Sequence, residues 1–156
     1  MRHPISRLTD PGPAINGPAS WGVLALRIHL GLTMAILAGL SKVAEFPAAP
    51  WFVEQVAEIG FPAAGVFAFV AAWGEVLGGF LLAAGLFTRL AAAQLCFQMG
   101  VAAFLYHDVF PVVDLHITHT LFWVFGCLTL LGGGRFSLDA RLHRRWKVSD
   151  EGPIRG

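Results

Sequence analysis

Four apolar stretches, each about twenty residues long, constrain this chain more than any other feature. They cover residues 21–43, 62–87, 90–109 and 113–132. A helix of roughly 20 apolar residues crosses the hydrocarbon core of a bilayer and satisfies its backbone N–H and C=O groups internally. Composition agrees, since 56% of the 156 residues are apolar and 13% charged, against about 25% charged in soluble domains. Mean hydropathy is +0.64. The sequence therefore predicts an all-α fold, a bundle of four transmembrane helices, over a soluble bundle with unusually apolar helices. The first apolar run is too long for the core of a signal peptide and reads as a retained span.

Residues 1–20 are rich in Pro and Gly and predict a disordered tail ahead of a membrane domain over 21–142. Between the first two spans, Pro50 can open a short helix and Gly60 can end it. Phe52, Val56 and Ile59 share one face of that segment and Glu54 and Glu58 another, the pattern of an interfacial helix, with an ordered loop as the alternative. After the fourth span come three glycines and then Ser137, a candidate N-cap. Leu138, Leu142 and Trp146 recur at helical spacing among Arg141, Arg144, Arg145 and Lys147. This basic amphipathic segment suits an anionic membrane surface. A basic tail over 143–156 follows, expected to be disordered from Val148.

Charge sets the orientation. With four spans, Arg2, Arg7, Arg89, Arg135, Arg141, Arg144, Arg145, Lys147 and Arg155 share one side, and Arg27 lies near it. The other side carries Glu45, Glu54, Glu58, Asp108 and Asp114, with Lys42 nearby. The positive-inside rule then predicts a multi-pass inner-membrane protein with both termini cytoplasmic.

The stretch Glu75-Val76-Leu77-Gly78-Gly79, its leucine-rich continuation, and Gly85-Leu86-Phe87-Thr88-Arg89 resemble the second helix of the DoxX/DoxD-like membrane proteins. Arg27 with Gly31, and Gly39-Leu40-Ser41-Lys42, resemble that family's first helix. Gly134-Arg135-Phe136-Ser137-Leu138-Asp139 resembles its ending. The resemblance implies a small bacterial four-helix bundle. It also implies roles that range from a quinone-reducing subunit of thiosulfate oxidation to a partner in oxidative-stress membrane complexes and a membrane component associated with metal handling.

Three polar constellations could carry chemistry. Glu75 sits midway along span two, where an ionisable side chain is expected to face the bundle interior and have a partner. Arg27, His29, Gln94 and Gln98 reach similar depths and complete an expected buried polar layer. The layer reads as a proton relay or quinone headgroup site, or as a structural Glu75–Arg27 pair that fixes packing. His107, His116 and His119, with Asp108 and Asp114, cluster at the outer end of spans three and four, where they could bind a transition metal or form ordinary interfacial polarity. Cys96 and Cys127 are predicted at one level of the hairpin, because 96 and 127 have the same index sum as 107 and 116. They read as a redox thiol pair or as small apolar side chains in packing. Gly74 and Gly78 form a GxxxG packing stripe, within the chain or between copies.

The leading functional expectation is a redox-linked membrane subunit, a quinone or electron- and proton-transfer partner of an oxidoreductase complex. The rivals are a non-catalytic scaffold or assembly factor, and an outer-face metal-handling protein. Expected partners are lipid, other membrane or membrane-associated proteins and a candidate second copy of the chain. The basic tail has too few aromatics and too much membrane context to suggest nucleic acid.

Overall fold

The computed structural model describes residues 17–108 and 116–150, with side chains of the last helix as far as Arg145. Every described element is helical: α1 Pro18–Lys42, α2 Pro50–Glu58, α3 Ala64–Ala84, α4 Thr88–Tyr106, α5 Ile117–Leu131 and α6 Leu138–Asp150. Of these, α1, α3 and α4 are long and apolar enough to cross a membrane. The stretch expected to form a fourth span is represented by α5, which is apolar but has only 15 residues. At about 1.5 Å per residue it extends roughly 22 Å, short of a hydrocarbon core of about 30 Å. Residues 113–115, which begin the expected span, lie outside the described residues, as do residues 1–16 of the expected tail. Residues 18–20, also assigned to that tail, already belong to α1, which opens on Pro18 with its φ preset for the first helical turn.

Consecutive long helices run antiparallel. On α1, the buried residues Arg27, Gly31, Ala35 and Gly39 fall four apart and form one stripe against α3. A Cβ at Gly31 would stand 2.6 Å from the Gly79 carbonyl and the Ala83 nitrogen. One at Gly79 would stand 2.6 Å from the Ala35 nitrogen. The two backbones are therefore in contact, as small residues permit where lipid supplies no hydrophobic drive for helix association. Met34, Leu82, Ala92, Leu95, Phe125 and Leu128 fill the centre among α1, α3, α4 and α5.

Helix α2 forms where the sequence predicts it, with Phe52 and Val56 buried against Ala68 and Ala72 of α3 and with Glu54 and Glu58 exposed. It covers the end of the bundle that carries Lys42, Tyr106 and His107, the hairpin side. At the opposite end, the terminal side, lie Pro18, the α3–α4 turn and the segment between α5 and α6. There Ser137 caps α6: its Oγ accepts from the Ala140 N–H at 3.0 Å and donates to the Gly134 carbonyl at 2.7 Å. The helix it starts continues to Asp150, past the expected onset of disorder at Val148.

Two segments widen into π-helix, Thr33–Gly39 within α1 and Ala102–Tyr106 at the end of α4. Such turns gather at functional sites. Both lie toward the hairpin side, the first just before Lys42 and the second just before His107.

Candidate functional site

On the hairpin side, Glu75 of α3 is buried, with 3% of its surface exposed. Its partner is Lys42, at the end of α1. The Lys42 ammonium donates to Oε1 at 2.6 Å and to Oε2 at 2.7 Å. Nζ also stands 4.6 Å from the centre of the Phe52 ring, supplied by α2, a cation–π contact on a second flank. The expected Glu75–Arg27 pair is therefore replaced by Glu75–Lys42. The reason is axial: Arg27 lies level with Gly85, ten residues and about 15 Å along α3 from Glu75. Lys42, whose position suggested a lone outer charge, has a stem long enough to reach inward.

Beside this ion pair is a cavity of about 460 Å³. Its polar lining includes Lys42, Glu75, Gln94, Gln98, His107 and Thr118. The two expected glutamines are thus at the site. Gly74 and Gly78 form the shelf on which they lie: a Cβ at Gly74 would stand 2.8 Å from the Gln94 amide nitrogen, and one at Gly78 would collide with the Gln94 carbonyl oxygen. The GxxxG stripe therefore packs within the chain, making room for α4 side chains. Gln98 donates from Nε2 to the Ala71 carbonyl at 2.9 Å. Its Oε1 is buried and has no hydrogen-bond partner among the described residues. Phe67, Val70 and Phe97 also line the cavity and are exposed, which puts its mouth between α3 and α4.

His29 is not part of this layer. It is exposed on α1, because a residue two positions from the inward-facing Arg27 lies about 200° further round the helix.

Arg27 belongs to a second polar centre, on the terminal side. Fully buried, it donates from one terminal nitrogen to the Phe136 carbonyl at 3.4 Å. Its guanidinium fills the space over Gly85, where any side chain would collide with it. Gly85 also ends α3 with φ of 72°, which a Cβ would strain. Asp139 supplies the countercharge. Its Oδ1 accepts the Phe87 N–H at 2.8 Å, and its Oδ2 accepts the Thr88 N–H at 2.9 Å and the Thr88 hydroxyl at 2.8 Å. The Asp139 N–H donates to the Gly85 carbonyl at 2.9 Å. A carboxylate from α6 thereby caps the amino end of α4, where the helix dipole favours negative charge. Sequence reasoning took the Ser-Leu-Asp run as a helix start and missed this role of Asp139. The available signal was a carboxylate one turn away from no cation of its own helix, in a chain with a buried arginine to balance.

The hairpin-side histidines meet only in part. His107 and His116 stack with ring centres 4.1 Å apart, as the hairpin geometry predicts. His116 also caps α5, its Nδ1 lying 2.8 Å from the Thr118 hydroxyl. His119 is buried, and its Nε2 accepts from the Trp123 indole at 2.9 Å. Asp114 lies outside the described residues, among which no three metal-capable side chains converge. Partial desolvation, reinforced by the neighbouring His116, holds the pKa of the exposed His107 below the ordinary histidine value. Both cysteines are free. Cys96 lies in the α4–α5 seam, its Sγ 3.3 Å from the Phe122 carbonyl and opposite Gly126, whereas Cys127 is exposed on α5.

No curated protein and no solved structure matches this chain. The DoxX family model matches residues 22–108, which takes in α1 to α4, the Lys42–Glu75 pair and both glutamines. An all-helical chain with apolar helices of membrane-crossing length, matched over more than half of its sequence by that model, belongs to the DoxX family of membrane proteins.

Proposed function

We propose that the hairpin-side cavity binds the headgroup of a quinone and that the protein serves as the membrane subunit of an oxidoreductase complex. The carrying observation is the cavity of about 460 Å³ lined by Lys42, Glu75 and Gln98, of which Lys42 and Glu75 form an ion pair and Gln98 has a buried Oε1 without a partner among the described residues. Its volume lies in the range of small-molecule sites, roughly 300–1,000 Å³. A quinone carbonyl can accept from the Lys42 ammonium, and a quinol hydroxyl can donate to Gln98 Oε1. The apolar mouth at Phe67, Val70 and Phe97 suits an isoprenoid tail extending into lipid. Reduction consumes two electrons and two protons per quinone and forms one quinol. A partner oxidoreductase supplies the electrons, and the Glu75 carboxylate can hold a proton beside the headgroup. In this reading α5 makes a fourth crossing. Both termini then lie in the cytoplasm of a bacterial cell, following the basic side chains.

The test is equilibrium dialysis of the detergent-solubilised full chain against a short-chain benzoquinone. Saturable binding is expected, with Lys42→Gln and Gln98→Leu each weakening it about tenfold or more, the scale of a lost hydrogen bond to a charged or buried group. Wild-type protein that does not bind, or variants that bind as well as wild type, would remove this reading.

A further inference from the structure

The terminal side carries a second recess, about 540 Å³ in volume, between the α3–α4 turn and α6. Leu86, Leu138 and Leu142 form its apolar part, and Arg141, Arg144 and Arg145 its polar part. Arg141, Arg144 and Arg145 are exposed. Their guanidinium groups make no hydrogen bond or ion pair with any described residue. The other cations nearby are already engaged: Arg89 donates to the Leu130 carbonyl at 3.3 Å, and Arg27 is sealed in the interior. Asp139, the one α6 carboxylate among the described side chains, is turned inward and is 1% exposed. The recess is thus cationic and uncompensated among the described side chains.

Its depth in the membrane follows from its neighbours. Leu86 lies two residues past the end of the apolar α3. On the same side Trp21, 62% exposed, packs against Phe136 with ring centres 4.5 Å apart, and the Arg135 guanidinium stands 5.8 Å from the centre of the Phe136 ring. Exposed tryptophan beside arginine marks the headgroup level of a bilayer. A free phosphate ion would use the arginines and leave the three leucines idle. An anionic phospholipid would use both.

We infer that this recess is a binding site for one anionic phospholipid, whose phosphate is held by Arg141, Arg144 and Arg145 and whose proximal acyl chains lie on Leu86, Leu138 and Leu142. Bound there, the lipid joins α6 to the α3–α4 turn from outside, over the place where Asp139 joins them from inside.

Native mass spectrometry of the detergent-solubilised full chain tests this, with phosphatidylglycerol and phosphatidylcholine offered in equal amounts. The wild type is expected to retain phosphatidylglycerol with at least about tenfold preference, given the attraction of each arginine near an anionic headgroup. The triple variant Arg141→Gln, Arg144→Gln, Arg145→Gln should lose that preference, while Arg135→Gln, outside the recess, should keep it. Equal retention of both lipids by the wild type, which needs no variant to fold, would refute the site. So would equal loss in Arg135→Gln, the mark of a diffuse charge effect, or displacement of the lipid by inorganic phosphate, the mark of a simple anion site.

Discussion

The two buried polar centres are built from similar parts and do opposite things. Each sets a cation of α1 against a carboxylate from another helix, and each depends on glycines of α3 to make room. On the terminal side the carboxylate of Asp139 accepts three hydrogen bonds, and Arg27 fills the space over Gly85. That centre is closed and holds three helix ends together. On the hairpin side the Lys42–Glu75 pair forms one wall of a cavity, and the glycines make space for glutamines instead of for the charge itself. That centre is open. A buried ion pair alone therefore says little about whether a site is structural or binds a ligand. What separates the two here is whether space remains beside the charge, since buried polar atoms without a hydrogen-bond partner among the described residues occur in both, at Gln98 Oε1 and at Arg27 Nε and Nη1.

Breaking the closed centre should have the larger effect. Asp139→Ala would strand the Phe87 and Thr88 N–H groups, the Thr88 hydroxyl and the charge of Arg27, and loss of about 3–5 kcal/mol is expected, the scale for removing one member of a buried charge network. Thermal unfolding in detergent and the yield of monodisperse protein measure it. A wild-type melting temperature in this variant would show that the centre is not the lock described here.

Glu75→Ala should cost less, about 1–3 kcal/mol, because Lys42 is 16% exposed and can rehydrate through the cavity. The same unfolding measurement compares the two directly. A larger loss for Glu75→Ala than for Asp139→Ala would reverse the assignment of closed and open centres.

The smallest effect concerns pH at the cavity's outer rim. The folded state holds His107 below the ordinary histidine value, so the unfolded chain binds more protons as pH falls. Stability from this group is present above about pH 6.5, the unperturbed histidine value, and is lost as pH falls from there through the lowered folded value. His107→Gln should flatten that dependence over roughly pH 5–7, where histidine changes charge. Hydrogen exchange of the α4–α5 hairpin provides the readout, and an unchanged slope would show that His107 does not control it.

Much of this architecture is legible in the sequence because membranes impose simple rules. Length and apolarity locate α1, α3 and α4, and hairpin geometry places His107 beside His116. Partner choice is less legible. Arg27 and Lys42 are both cations of α1, and the depth argument favoured Arg27 for Glu75 because it ignored how far a lysine stem reaches. The role of Asp139 was hidden by distance in sequence, since the N–H groups that donate to it lie more than fifty residues earlier at Phe87 and Thr88. The stretch containing it also falls beyond the part matched by the family model. Glycines proved ambiguous in a similar way: the GxxxG pattern announces close packing, but only the structure distinguishes a seat for another backbone, as at Gly79, from a seat for glutamine, as at Gly78.

The contact between Arg27 and the Phe136 carbonyl spans 109 residues of chain, and that separation bears on how the protein is made. α1 leaves the ribosome first, carrying an arginine whose acceptor does not yet exist. At synthesis rates of about 5–20 residues per second, on the order of ten seconds pass before α6 emerges. During that interval the guanidinium must snorkel to the headgroups or be sheltered by insertion machinery. The newborn bundle is thus held unfinished by its own first helix and closes only when its last one arrives.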